Sequence, residues 1–270
     1  MPCLLLHGLA GSPFEMRPLA VALEADGFVV DNAPLPGHGG EVSAYLNSHY
    51  AQWQAAALAR YRELCRQGPV WLAGYSLGGL LALEICVAAA RGELPPPAGL
   101  LALAVPLYFR KWHPYFYAAP QFRFLRWRAR LQPCVPLLPR SAAARAVAPW
   151  QGQESVYYLP HFVELEAAQR RLRRELSRLT VPLSIVQLRH DVCCHPWNST
   201  YLLRRWGGRE AELHLLRTRS PHGGHLPTTH CESRERVAAL AVDFARRCLA
   251  GEAPARTADT AQAAMQTCMF

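Results

Sequence analysis

"LAGYSLGGLLALE", residues 72–84, is the stretch on which the reading of this chain turns. An apolar run ends at Ala73, the chain turns through Gly74-Tyr75-Ser76-Leu77-Gly78, and a Leu/Ala-rich helical pattern starts at once. An ordinary strand-to-helix connection does not need glycine on both sides of a serine. A connection that thrusts one hydroxyl into the open does, because the turn is strained and strand and helix must come close together. Gly74-x-Ser76-x-Gly78 between an apolar strand and a helix fits a nucleophile elbow. The helix starting at Leu77 then directs unpaired N–H groups and its positive dipole end at whatever oxygen reacts there. A tight turn with an incidental serine is the plainer alternative.

Outward from the elbow, strand-like and helix-like patterns alternate. Strands are expected over 2–6, 28–33, 70–73 and 99–105, with helices over 13–26, 43–65 and 77–91 between them. Residues 34–40, Pro-Leu-Pro-Gly-His-Gly-Gly, are a loop. The alternation stops near Pro106 and resumes with a strand over 182–188, a helix over 197–206, a strand over 212–217 and a final helix over 231–249. Apolar strands without polar alternation, separated by helices, indicate a mostly parallel sheet covered by helices on both faces. The expected organisation is an α/β core made of residues 1–106 and 180–250, a cap inserted at 107–179, and a flexible tail at 251–270.

A serine is a poor nucleophile near neutral pH and needs a base, itself oriented by an acid. In an elbow-bearing α/β fold the acid and the histidine follow the serine along the chain. Of the five aspartates, 26, 31, 191, 243 and 259, only Asp191 lies between Ser76 and the late histidines. It follows the 182–188 strand, at the sheet edge where open parallel sheets bind ligands. Glu210 and Glu212 are weaker substitutes, since they precede a strand. The base comes from the 220–230 loop, which holds His222, His225 and His230. His225 follows two glycines that give its ring reach. His222 stands closest to the strand end, and His230 sits where it can cap the last helix. The loop His7-Gly8-Leu9-Ala10-Gly11-Ser12 is the expected oxyanion element, with the N–H groups of Leu9 and Leu77 as donors. His38 precedes the serine and reads as structural.

The bulk numbers narrow the rest. The chain has 270 residues, 51% of them hydrophobic, which suits one large globular domain. No run approaches the ~18 apolar residues of a membrane span, and the N-terminus lacks a signal-peptide pattern, so a cytoplasmic protein is expected. The nine cysteines show no disulfide framework. His222, His225, His230, Cys193, Cys194, His195 and Cys231 have spacings too irregular for a zinc site, so neither a metal nor another cofactor is expected. Segment 107–178 carries 13 Lys/Arg against 4 Glu and so holds the whole formal charge of +9. It mixes those cations with Tyr108, Phe109, Trp112, Tyr115, Phe116, Tyr117, Phe122, Phe124 and Trp127. These residues fit an acyl tunnel with a grip on an anionic headgroup or membrane surface. They fit equally a cap's own core with a solvated basic face. Nucleic acid is not expected, because no binding motif accompanies the charge.

"LLLHGLAGSP", "APLPGHG", "LAGYSLGG", Asp191 and "GGHLPTTHCESRERV" resemble, in order, the landmarks of the α/β-hydrolase superfamily. The resemblance spans about residues 1 to 250 and is strongest to small carboxylesterases and bacterial monoacylglycerol lipases. It implies the α/β-hydrolase fold with an inserted cap. It also implies Ser76, Asp191 and His225 as the catalytic set, Leu9 and Leu77 as oxyanion donors, and a small acyl ester as substrate. The match of Gly224-His225-Leu226-Pro227-Thr228-Thr229 to that group favours His225 over the other two histidines. His230 stands where the family usually has Asp, and Arg189-His190 where it often has glycine before the acid. Two other readings stay open: a thioesterase or acyltransferase using coenzyme A-type donors, and a silent binding or scaffold protein on the same fold.

Overall fold

The computed structural model describes residues 1–109, 120–220 and 222–252, without the side chains of residues 120–123. The expectations placed on residues 110–117, on the Phe122 side chain and on the tail from 253 lie outside the described residues.

The N-terminal half runs β1 (Pro2–Leu6), α1 (Arg17–Ala25), β2 (Val29–Asp31), α2 (Val42–Leu46), α3 (Tyr50–Cys65), β3 (Trp71–Tyr75), α4 (Leu77–Ala90) and β4 (Gly99–Leu103). The segment between β4 and the next strand of the sheet holds α5 (Pro120–Leu131), β5 (Cys134–Pro136), α6 (Ala142–Val147), β6 (Val156–Tyr158) and α7 (Leu159–Glu175). The chain closes with β7 (Leu183–Leu188), α8 (Trp197–Arg205), β8 (Ala211–Leu216) and α9 (Arg234–Ala250).

Six strands form one sheet in the order β2-β1-β3-β4-β7-β8, every neighbouring pair parallel. Side chains alternate between its faces with the period of two that a pleated strand imposes. Leu4, Leu72, Leu100, Ala102, Leu183 and Ile185 join the cluster under α3, α4 and α7. Cys3, Leu5, Trp71, Ala73, Leu101 and Val186 join the cluster under α1 and α9. Each fully buried leucine contributes about 1.5–3 kcal/mol relative to an exposed one. The chain builds β1 and β2 outward, then returns to lay β3 on the other side of β1. The order therefore reverses between β1 and β3, and the crevice beyond their C-terminal ends is where such sheets bind ligands.

Three local differences from the sequence reading have physical causes. The expected helix over 43–65 is two, because the Ser48 carbonyl, at the break, is hydrogen-bonded to His161 Nε2 at 2.9 Å, and Gln52 Oε1 accepts the His49 N–H at 2.9 Å to start α3. The helix expected from Pro13 begins as a 3-10 turn, Pro13–Met16, before α1. Between β4 and β7, β5 and β6 pair as an antiparallel ribbon that no sequence pattern announced. Helix α7 lies within the segment 107–179 expected to form a cap, and its Leu165, Ala168 and Leu172, with Leu176 just beyond it, pack into the same cluster as α4. Several of its arginines hold it there: Arg171 pairs with buried Glu84 on α4, and Arg173 donates to the Leu107 carbonyl at 2.6 Å.

Candidate active site

Ser76 sits at the tip of the turn between β3 and α4 with φ 52° and ψ −114°. For a residue with a Cβ such a conformation costs about 1–3 kcal/mol and persists only when its surroundings enforce it. Here they do. The Ser76 N–H donates to the Leu103 carbonyl at 2.9 Å, and the Ser76 carbonyl accepts from Gly79 at 3.0 Å. The flanking glycines are required by contact: a Cβ on Gly74 would lie 2.4 Å from the Gly78 carbonyl oxygen, and one on Gly78 would lie 2.0 Å from that of Leu6. Any larger residue at either position pushes α4 away from β1 and β3.

Two loops bring the partners. Asp191 follows β7 and is 3% exposed. Its Oδ1 accepts the N–H groups of Cys193 and Cys194 at 2.8 and 2.7 Å. Its Oδ2 accepts the Gln187 side-chain amide at 2.9 Å and His225 Nδ1–H at 2.8 Å. The opposite nitrogen of His225, Nε2, stands 3.1 Å from Ser76 Oγ. Because a carboxylate can only accept, Nδ1 carries the proton and Nε2 presents its lone pair to the serine hydroxyl. Burial pushes the His225 pKa down, but the Asp191 charge and hydrogen bond, helped by the charge of Glu15, outweigh it and leave the pKa above its ordinary 6.5.

The other two histidines of that loop stand elsewhere. His222 is exposed, and its own N–H bonds to Ser220. His230 is fully buried and accepts the Glu232 N–H at 3.1 Å, ahead of α9. His38 is buried against His7, Tyr45 and Trp53, with Nδ1 3.1 Å from the Pro36 carbonyl. Glu210 and Glu212 lie at the opposite, N-terminal end of β8, where Glu212 is held by Arg247 at 2.7 Å.

The 7–12 loop follows β1 across the crevice. His7 Nε2 accepts the Leu35 N–H at 3.0 Å, and its Nδ1–H faces the Gly8 carbonyl at 3.0 Å, which fixes the ring and the loop's first turn. Leu9 follows, and Ala10 takes a φ of 60°. Leu77 opens α4, so its N–H has no acceptor within the helix.

Sequence reasoning missed two groups. Gln187 donates to Asp191, while its own carbonyl accepts the Ser199 hydroxyl at 3.0 Å. Glu15 is buried beneath the 8–11 loop, accepting the Gly8 N–H at 2.8 Å and the Trp150 indole N–H. In the sequence Ser12-x-x-Glu15 has the form of a helix-capping box, which hides any other role.

Two clusters have metal-ligand chemistry among the described residues: Asp191, Cys193 and His225, and His230, Cys231 and Glu232, their donor atoms within 4.8 Å of one another. In the first, Asp191 already accepts four N–H groups, one of them from His225. In the second, Glu232 accepts the N–H groups of Arg219 and Ser220 at 2.7 and 3.1 Å. A cation at either place would displace hydrogen bonds that hold the loops.

A family model described as the alpha/beta hydrolase family matches residues 3–240. The chain belongs to that family. A thermostable monoacylglycerol lipase from Bacillus sp. (strain H-257) is 34% identical over 85 residues, which cover 30% of this chain and 33% of that relative. The match thus spans about a third of the relative's length. Among solved structures, a protein reported with two metagenome-derived lipolytic enzymes superposes with a TM-score of 0.75 at 22% identity, covering 91% of this chain and 93% of that one. The monoacylglycerol lipase of Paleococcus ferrophilus does so at 0.71 and 19% identity, covering 90% and 93%. At these identities the structural likeness establishes the α/β-hydrolase fold.

Proposed function

We propose that this α/β-hydrolase is a serine hydrolase of carboxylic esters. The observation that carries the reading is the unbroken relay from Asp191 Oδ2 to His225 at 2.8 Å and from His225 Nε2 to Ser76 Oγ at 3.1 Å. In this reading Ser76 Oγ attacks the ester carbonyl carbon while His225 Nε2 takes the hydroxyl proton. The carbonyl oxygen becomes an oxyanion and accepts from the N–H groups of Leu9 and Leu77. Collapse breaks the ester C–O bond, and the leaving alcohol takes the proton from His225. Water, deprotonated by the same nitrogen, then releases the acid and restores Ser76. Asp191 holds the required tautomer and stabilises the imidazolium.

The narrower substrate class is a monoacylglycerol or a similar lipid ester, a reading supported by the partial match to the Bacillus lipase. The division into a core of 1–106 and 180–250 with a cap over 107–179 belongs to the same proposal. Helix α5 supplies a specific observation about substrate delivery: Phe124, Trp127 and Leu131 are 67%, 63% and 66% exposed at helical spacing, beside Arg126, Arg128 and Arg130. A stripe of that composition suits the surface of an anionic lipid aggregate. Among the described residues no helix is long and apolar enough to cross a membrane.

The test is labelling by a fluorophosphonate together with turnover of p-nitrophenyl esters of rising chain length. Wild type labels and turns over, and Ser76→Ala and His225→Ala lose both. A folded wild type that neither labels nor turns over sinks the reading. Preferential turnover of acyl-coenzyme A would replace ester hydrolysis with thioester chemistry on the same serine. For the α5 stripe, co-sedimentation with anionic but not neutral vesicles is expected, and it weakens in Trp127→Ala. Equal binding by wild type and variant removes the stripe from the account.

A further inference from the structure

Residues 150–153 of the insertion are strapped onto the oxyanion loop. Ser12 Oγ donates to the Gln151 carbonyl at 2.7 Å, and the Gln153 N–H donates to the Ala10 carbonyl at 2.6 Å. The third tie is the Trp150 indole N–H to Glu15 Oε1, while Glu15 Oε2 accepts the Gly8 N–H at 2.8 Å. Glu15 is 1% exposed, and among the described residues no arginine, lysine or histidine forms an ion pair with it. A Cβ on Gly11 would lie 2.3 Å from its Oε2, and one on Gly8 would lie 3.2 Å from the same atom. The glycines of the loop therefore let the backbone lie flush on this carboxylate.

A capping role does not account for the arrangement. In a capping box the glutamate would return to the Ser12 N–H. Here the side chain passes that position and binds the residue just before Leu9. A buried carboxylate without a cation is also a poor choice for stability alone, since burial pushes its pKa up to about 7 against the opposing effects of Gly8, Trp150 and His225.

We propose that Glu15 is a positioning residue of the oxyanion hole: its carboxylate holds the 8–11 loop so that the Leu9 N–H meets the oxygen of the ester carbonyl that Ser76 attacks, and it links that setting to the insertion through Trp150. The proposal rests on the serine-hydrolase reading above. Its chemistry needs two acceptor oxygens for two N–H donors. A glutamine offers one, so Glu15→Gln leaves either Gly8 or Trp150 facing an amide NH₂. The titratable groups that feel Glu15 are Tyr75, packed against Gly8 and also under the influence of Asp191, and His225. Its negative charge favours the imidazolium of His225, the form present in the transition state.

The experiment uses full-length wild type, Glu15→Gln, Trp150→Phe and the double variant. It measures kcat and KM against pH on a p-nitrophenyl ester, inhibition by a boronic acid that mimics the tetrahedral intermediate, and Tm. Glu15→Gln is expected to lose about 10- to 100-fold in kcat with KM little changed, and boronic acid affinity falls in parallel. The acid limb of its pH profile moves to lower pH, because the charge that favoured imidazolium is gone. The double variant regains part of the lost kcat: with the indole N–H removed, the one amide oxygen is free for Gly8.

Unchanged kcat in Glu15→Gln overturns the proposal, as does a fall in Tm alone or a double variant below the single. If Glu15→Gln does not fold, Trp150→Phe decides. A lower kcat and weaker boronic acid binding at constant KM supports the link, and no change in either overturns it. A wild type inert to esters and fluorophosphonate overturns the hydrolase reading and this proposal together. An active wild type with an indifferent Glu15→Gln overturns this one alone.

Discussion

Two carboxylates are buried at the sheet's C-terminal edge, one in the loop after β7 and one just past the loop after β1, and they are built differently. Asp191 accepts four N–H groups, from Cys193, Cys194, Gln187 and His225. Glu15 accepts two, from Gly8 and Trp150. Four N–H donors occupy both oxygens of Asp191 and fix it behind the imidazole. Two leave a carboxylate whose pKa burial has moved to about 7, within reach of ordinary changes in pH. The difference separates a carboxylate saturated with N–H donors behind the imidazole from a loop anchor whose strength changes with protonation.

The largest effect that bears on this contrast is expected from Asp191→Asn. The asparagine amide turned toward His225 presents an N–H where an acceptor is needed, so the ring flips its tautomer and Nε2 carries a proton toward Ser76. Loss of about 10⁴-fold in kcat is expected, the scale seen when this change is made in a serine protease triad. Steady-state kinetics at pH 8, with circular dichroism to show a native fold, checks it. The contrast collapses if Asp191→Asn costs no more than Glu15→Gln, for then both groups merely hold loops.

The same contrast explains what could be read from the sequence. The candidate Asp191 is legible by order along the chain: one aspartate lies between the serine and the late histidines, just past an apolar strand. Ser76 was legible because its turn forbids side chains at Gly74 and Gly78, and sterics of that severity leave a residue pattern. The core strands were legible because burial on both faces leaves unbroken apolar runs. Glu15 left no such trace. Its neighbours in space, Gly8 and Trp150, are 7 and 135 residues away, and its position in Ser12-x-x-Glu15 imitates a local cap. The helix break at Asn47-Ser48 was hidden for the same reason, since Ser48 is held by His161 from α7, 113 residues on. What the sequence concealed was set largely by contacts between distant segments, and most of these involve residues between β4 and β7.

The smallest effect concerns stability, and its sign distinguishes Glu15 from the histidines around it. The folded pKa of Glu15 lies near 7, above its ordinary 4.5. Its contribution is therefore fully present below pH 4.5 and is lost as pH rises through about 7. His7 and His38 are shifted the other way, mainly by burial, to about 4 and about 3 from 6.5. They bind protons more readily when unfolded, so their contribution is present above pH 6.5 and is lost as pH falls toward 4 and 3. Between pH 4.5 and 6.5 the glutamate opposes both histidines, each of the three groups changing the slope by up to about 1.4 kcal/mol per pH unit. Removing the glutamate's titration in Glu15→Gln should leave the histidines unopposed. Urea unfolding from pH 5 to 8 is then steeper on the acid side in the variant than in wild type, and flatter between pH 6.5 and 7.5. Parallel curves for the two proteins would mean that Glu15 does not titrate in this window. The anchor after β1 would then keep one protonation state from pH 5 to 8, and its hold on the 8–11 loop would not change across that range.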